Sequence, residues 1–251
     1  MRLTHLMRTD TPNLGTHHGA SSRQSGLARA LRAASPVRDR PRTGAALSAR
    51  HGSFSAIAEP TPAAYADLAI DLPPQTEARL FRPAEHPAPR DWETVSARPI
   101  VQMVCDGLYL PTPNDLDARI APLGPADVPD MLALVDVAKP GPFASRTIQL
   151  GGYVGIRHAR TGQLIALGGE RLRVDGYVEV SAIAVHPDAR GWGLGQAITN
   201  HLARTAISRG EAPFLHVYPE NPAMGLYGRL GFRERARLWV LWHRPVLDDC
   251  R

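Results

Sequence analysis

The stretch Val185-His186-Pro187-Asp188-Ala189-Arg190-Gly191-Trp192-Gly193-Leu194-Gly195 sets a strand end, a glycine-rich turn and a helix start in immediate succession. Such a turn exposes several backbone N–H groups at the positive end of a helix dipole, and a pyrophosphate is the kind of ligand those groups favour. Glycine is required at close approach because a side chain would hold the phosphate oxygens off. Taken alone, three alternate glycines read equally well as a flexible loop before a helix. Two competing phosphate signatures fail. The dinucleotide fingerprint needs a third glycine where Gln196 stands and an acidic residue ending the next strand, whereas Glu211 precedes that strand. No Gly-Lys-Ser or Gly-Lys-Thr follows, so the phosphate loop of nucleoside triphosphatases is excluded.

Other chemistry-bearing residues point nowhere as sharply. Cys105 and Cys250 are the two cysteines, too few for a disulfide framework or most of a zinc site, and they favour a reducing, cytoplasmic setting. His17 and His18 lack partners at metal-ligand spacing, so no metal is expected. His186 reads as a polar strand end, and His216 as packed or paired on its strand. No serine or cysteine sits in a strand-to-helix elbow, which disfavours a covalent acyl-enzyme.

The elements that must position the glycine turn are legible from Asp117 onward. Asp117 to Leu123 reads as a strand, and Pro125 to Pro129 opens a helix with Met131, Leu134, Val135 and Ala138 on one face, stopped by Lys139-Pro140-Gly141-Pro142. Tyr153 to His158, Leu164 to Val174 and Tyr177 to Val185 form an antiparallel meander, joined at Thr161-Gly162 and Asp175-Gly176. After the turn comes a helix with Leu194, Ile198, Leu202, Ala206 and Ile207 toward the core and Gly210 as its cap. Phe214 to Tyr218 is expected as a strand, Pro222 to Leu230 as a short helix and Arg237 to Trp242 as a last strand. Upstream, 15 of the 23 prolines fall between Pro60 and Pro142, a density that excludes long helices and central strands over much of that stretch. Ala78 to Phe81 and Ile100 to Cys105 are the strand candidates there. The division expected is a disordered basic tail over 1–43, a small incomplete amino-terminal subdomain over 44–115 and a principal domain over 116–251.

Charge and composition narrow the partners. The chain has 251 residues and a formal charge of +5, but residues 1 to 50 hold nine arginines against Asp10 and Asp39, so the rest is slightly acidic. A nucleic-acid partner is therefore not expected for the folded part. With no apolar run near the ~18 residues that a span requires, neither is a membrane.

The residues Arg190 to Gly195 fit the R-x-x-G-x-G signature of the GNAT superfamily, N-acyltransferases that use acyl-coenzyme A, and Ala184-Val185-His186-Pro187 fits its usual strand end. Asn221, Tyr227 and Leu230-Gly231-Phe232 resemble its later pattern. The resemblance covers roughly Asp117 to Arg244, and the C-terminal half looks most like the domain shared with glycine N-acyltransferases. It implies an α/β fold with a mixed, mostly antiparallel sheet flanked by helices, and a bulge around Ile183 to Val185 that splays the central strand from its neighbour. It further implies that Ile183, Ala184 and Val185 face the pantetheine arm, that Arg190, Gly191, Trp192, Gly193, Leu194 and Gly195 bind the pyrophosphate, and that Asn221 touches the arm or caps its helix. Acetyl-coenzyme A is the implied co-substrate, and a primary amine on a small molecule or peptide the acceptor.

An amine with a pKa of about 10.4 is deprotonated at pH 7 only at a cost of roughly 4.6 kcal/mol, so a base, or a site that lowers the amine pKa, is expected. The resemblance implies Glu179, with Glu170 as runner-up; each reads equally as an exposed charge paired with Arg171 or Arg173. Tyr227 matches the position that protonates the leaving thiolate, or packs its helix on the sheet. An oxyanion donor near Ala184 or Val185 completes the set. The loop Ala138 to Gly152, with Phe143 and Arg146, is a candidate acceptor wall. The expected activity is N-acetyl transfer by direct attack in a monomer or homodimer; a non-catalytic acyl-coenzyme A-binding regulatory domain is the alternative.

Overall fold

The computed structural model describes residues 44–46, 54–73, 76–105, 110–111, 115–116 and 119–246. The tail over 1–43 and the first residues of the strand expected from Asp117 lie outside them. The described residues gather into two compact units: one comprises residues 44–46, 54–98 and 238–246, and the other those between Pro99 and Arg237.

In the first unit, β1 (Gly44–Ala46) pairs antiparallel with β2 (Ser55–Ile57), followed by α1 (Pro62–Asp71) and β3 (Ala78–Arg82). The helix forms within proline-rich sequence because Pro62 occupies its first turn, where no N–H is missed, and Thr61 Oγ1 accepts from the amide of Ala64 at 3.2 Å. Proline density thus punctuates this stretch and leaves room for a helix of ten residues, which the sequence reading did not anticipate. Tyr65, Leu68, Leu80, Trp92 and Leu241 form the core of this unit. Tyr65 Oη is hydrogen-bonded to His243 Nδ1 at 2.6 Å and to His86 Nε2 at 3.0 Å.

The second unit holds the Pro99–Cys105 end of β4 (Trp92–Cys105), β5 (Ala121–Leu123), β6 (Tyr153–Arg157), β7 (Leu164–Val174), β8 (Tyr177–Val185), β9 (Ala212–Val217) and the Phe232–Arg237 end of β10 (Phe232–Pro245). Their order is β10-β4-β9-β8-β7-β6-β5. The first and last strands of the chain's core, β4 and β10, are longer than Ile100 to Cys105 and Arg237 to Trp242. Their outer residues carry charges and a proline on exposed positions, which hides the period-two pattern. The meander β5 to β8 is antiparallel, with Gly162 and Gly176 at φ 74° and 79° in its hairpin turns, and β8 pairs parallel with β9. This is the mixed, mostly antiparallel sheet expected.

Three helices flank it: α2 (Val128–Ala138), α3 (Leu194–Ser208) and α4 (Ala223–Arg229). Met131 and Leu134 of α2 pack with Tyr153, Leu167 and Ala184, whereas Leu194, Ile198 and Leu202 of α3 pack with Ile156, Val180, Ile183 and Val185. Because successive strand residues alternate faces, α2 and α3 cover opposite sides of the sheet. Tyr227 and Leu230 share a cluster with Ala203 of α3, so α4 lies on the α3 side. Gly210, at φ 76°, ends α3 in the left-handed conformation expected of its cap.

Candidate active site

The central feature is a split between two neighbouring strands. Parallel pairing of β8 with β9 runs Tyr177↔Ala212, Val178↔Pro213, Glu179↔Phe214 and ends there. Strand β8 nevertheless continues to Val185 and β9 to Val217. The opposite edge of β9 stays paired with β4, from Val104↔Phe214 to Val101↔Val217. Beyond Glu179, then, the groups of β8 that point toward β9 face a slot.

A bulge bends β8 away. On β7, Leu167 pairs with Ala184 and Gly169 with Ser181, so β8 spends one extra residue, and Ala182 sits there at φ 55°. Left-handed backbone at an alanine costs on the order of 1 kcal/mol and persists where surrounding structure imposes it. The irregularity falls at Ala182, at the near edge of the Ile183 to Val185 segment read from the sequence. Gly169, the β7 partner of Ser181, leaves room for a neighbouring ring: a methyl group there would lie 2.4 Å from the ring of Tyr153 on β6.

At the open end of the slot, His186 caps a turn of 3-10 helix, its Nδ1 accepting from the amide of Asp188 at 3.3 Å. The chain then passes through Gly191 at φ 82° and Gly193 at φ 79° into α3. Gly193 is the N-cap and offers no side-chain acceptor, so the first-turn amides of a fifteen-residue helix are left for another partner. Nothing lies within 4 Å of a Cβ built on Gly191. Trp192 is 53% exposed beside the ring of His158. The cradle fits a diphosphate: left-handed glycines, uncapped amides at a helix N-terminus and no acidic residue in the first turn.

The expected bases are found in unexpected surroundings. Glu179 is fully buried, and Arg171 Nη2 and Nε donate to its two oxygens at 2.6 Å and 3.0 Å. His216 Nδ1 donates to Glu179 Oε1 at 2.8 Å. Burial pushes the carboxyl pKa up, but Arg171 and His216 outweigh it and hold Glu179 down to about 2. His216 Nε2 then accepts from Gln102 Nε2 at 3.1 Å, and Gln102 Oε1 accepts from Arg235 Nη1 at 3.0 Å. Guanidinium groups at both ends and one carboxylate between fix every donor and acceptor in this chain, including the imidazole tautomer. It crosses five strands on the side of the sheet that α2 covers.

Glu170 occupies the other side. Its carboxylate is bonded by Arg173 Nη2 at 2.8 Å and by Arg209, and Glu211 bridges the same two arginines. Pairing of these glutamates with Arg171 and Arg173 matches the sequence reading; their burial does not.

Tyr227, 9% exposed, packs edge-on to Phe232 on the α3 side, and burial raises its phenol to about 12. Asn221 Oδ1 accepts from the amide of Ala223 at 2.9 Å at the start of α4, which is the capping geometry. Phe143 lies edge-on to Tyr153 at 5.6 Å between ring centroids, beside α2. Gln102 and Arg235 were invisible as site residues, because only the register of β4 against β9 and β10 brings them to His216. Among the described residues, no group of three His, Cys, Asp or Glu is placed to hold a metal, and no helix is long and apolar enough to cross a membrane.

Comparison with known proteins gives a family. The family model for FR47-like proteins matches residues 153–240. A GNAT-family crystal structure from Novosphingobium aromaticivorans DSM 12444 is 32% identical, with a TM-score of 0.75 over 88% of this chain and 94% of that one. The fold is shared with a GCN5-related N-acetyltransferase from Kribbella flavida (22% identity, TM-score 0.50, 76% of this chain and 81% of that one). It is shared as well with one from Sphaerobacter thermophilus (13%, 0.51, 82% and 76%). A comparison with curated proteins found no match. The chain belongs to the GNAT superfamily of acetyltransferases.

Proposed function

We propose that this protein transfers an acyl group, normally acetyl, from acyl-coenzyme A to a primary amine by direct attack. The observation that carries the reading is the end of β8–β9 pairing at Glu179↔Phe214, with the uncapped Arg190–Gly195 turn at the far end of the resulting slot. Bound acyl-coenzyme A would supply an activated thioester. The turn and the first amides of α3 hold its diphosphate, Ile183, Ala184 and Val185 offer backbone groups to the pantetheine arm, and an N–H of Ala184 or Val185 polarises the thioester carbonyl. Asn221 sets the start of α4, which carries Tyr227.

Tyr227 donates a hydrogen bond to the departing sulfur without full proton transfer, since a phenol near 12 is a weaker acid than a thiol near 8.5 by about 5 kcal/mol. Glu179 does not serve as the base. A carboxylate held near 2 is too weak a base to take a proton from an ammonium of about 10.4, a step uphill by about 11 kcal/mol. Its place is as the charged anchor of the network, and Glu170, clasped by two arginines on the far side of the sheet, is not adopted as the base either. The acceptor amine enters as the neutral species and sheds its proton to solvent after attack.

The test is to incubate the protein with acetyl-coenzyme A and a panel of small-molecule and peptide amines and to follow free thiol. Acceptor-dependent release is expected. Tight binding with no release across the panel would favour the regulatory domain.

A further inference from the structure

We propose that His216, anchored by Glu179 and Gln102, ends the slot between β8 and β9 and restricts the acyl group to a short one, acetyl or propionyl. The proposal rests on the acyl-coenzyme A reading above.

The direction of the slot is fixed by its two ends. Val180 to Val185 is the length of β8 beyond its last pair with β9, a run of about 20 Å at about 3.3 Å per residue. The anion cradle follows the carboxyl end of β8, so a linear ligand fixed there by its diphosphate points its acyl end toward Glu179 and Phe214. At that end the two strands are joined by side chains. His216 stands on β9 two residues past the last backbone pair, and its imidazole reaches back across the gap to Glu179 Oε1 at 2.8 Å.

The ring is held on all sides. Its Nδ1 is bonded to Glu179 and its Nε2 to Gln102, and the ring of Phe214 meets it at 89° with centroids 5.7 Å apart. The side chains of His216 and Glu179 are 2% and 1% exposed. Rotating the imidazole aside would strip a donor from a buried carboxylate and an acceptor from the buried amide of Gln102, and unmet buried polar groups are costly. Each methylene added to the acyl group must therefore displace an anchored ring or shift the thioester away from its donors.

The experiment is calorimetry with unmodified coenzyme A, acetyl-coenzyme A and hexanoyl-coenzyme A on the wild type, His216→Ala and His216→Asn. The asparagine keeps a donor for Glu179 in a smaller side chain, and affinity for unmodified coenzyme A reports that each variant is folded. In the wild type, hexanoyl-coenzyme A should bind at least about tenfold more weakly than acetyl-coenzyme A, and both variants should narrow that gap to about threefold or less. An unchanged gap in both folded variants, or a wild type that binds the two thioesters equally, overturns the proposal. A wild type that gives no heat with any of the three overturns the acyl-coenzyme A reading itself, and the two failures are thereby distinct.

Discussion

Glu179 on β8 and His216 on β9 are joined by a 2.8 Å hydrogen bond across the place where the backbones of those strands have ceased to pair. The slot is thus closed by a charged side-chain clasp whose other partners, Arg171 and Gln102, come from β7 and β4.

Removing the charge from this clasp should cost stability. In Glu179→Gln the buried guanidinium of Arg171 loses its counter-ion, a change worth about 3–5 kcal/mol. Urea denaturation at pH 7 measures it; a loss below about 1 kcal/mol would mean that the ion pair is not what holds the strands.

The same carboxylate sets an acid limit. Its folded pKa, near 2, lies below the ordinary 4.5, so its contribution is present above about pH 4.5 and is lost as pH falls from there toward 2. The full contribution is roughly 3 kcal/mol. Over the neutral range the pH dependence of turnover should follow the acceptor amine alone, rising as it deprotonates, with no limb from a glutamate. A limb near pH 6 that disappears in Glu179→Gln would restore that residue as the base.

A second acid-sensitive group lies in the other unit. Burial, then the neighbouring His86, lower His243 to about 4, so its contribution is present above the ordinary 6.5 and is lost as pH falls from there through 4. Tyr65→Phe removes the hydroxyl bonded to His243 Nδ1 and should cost about 1–3 kcal/mol at pH 7 by leaving a buried ring nitrogen unsatisfied. Denaturation at pH 7 and pH 5 checks both effects, and a variant as stable as the wild type at each pH would contradict them.

Tyr227→Phe should lower kcat by tenfold or more, on the order of a lost transition-state hydrogen bond, with little change in coenzyme A affinity. Because the phenol is raised to about 12, no kinetic limb from it should appear below pH 10. Equal small effects on both parameters would leave Tyr227 as packing for α4.

What the sequence disclosed follows from how local each signal is. The glycine turn, the meander and α3 were legible because their determinants lie within a few residues: left-handed glycines at 176, 191, 193 and 210, and a continuous apolar stripe from Leu194 to Leu202. The buried state of Glu179 was not. On a strand it reads as an ordinary exposed charge, and only partners 8 residues away at Arg171 and 37 away at His216 decide otherwise. Gln102, 114 residues from His216, left no local trace at all. The helix α1 was hidden behind proline density although Thr61-Pro62 is a helix start. The passage of the chain from one compact unit to the other falls inside β4 and β10, where no loop or change of composition marks it.

The central claim is that the Arg190–Gly195 turn and the slot beyond it hold a nucleotide thioester. Calorimetry of the wild type and Gly193→Val against coenzyme A tests it most directly, because a branched side chain at φ 79° both strains the turn and covers its amides. Saturable heat with one site per chain is expected, with affinity weakened at least about tenfold in a variant that still melts cooperatively. No heat from the wild type, or equal affinity in the folded variant, would contradict it.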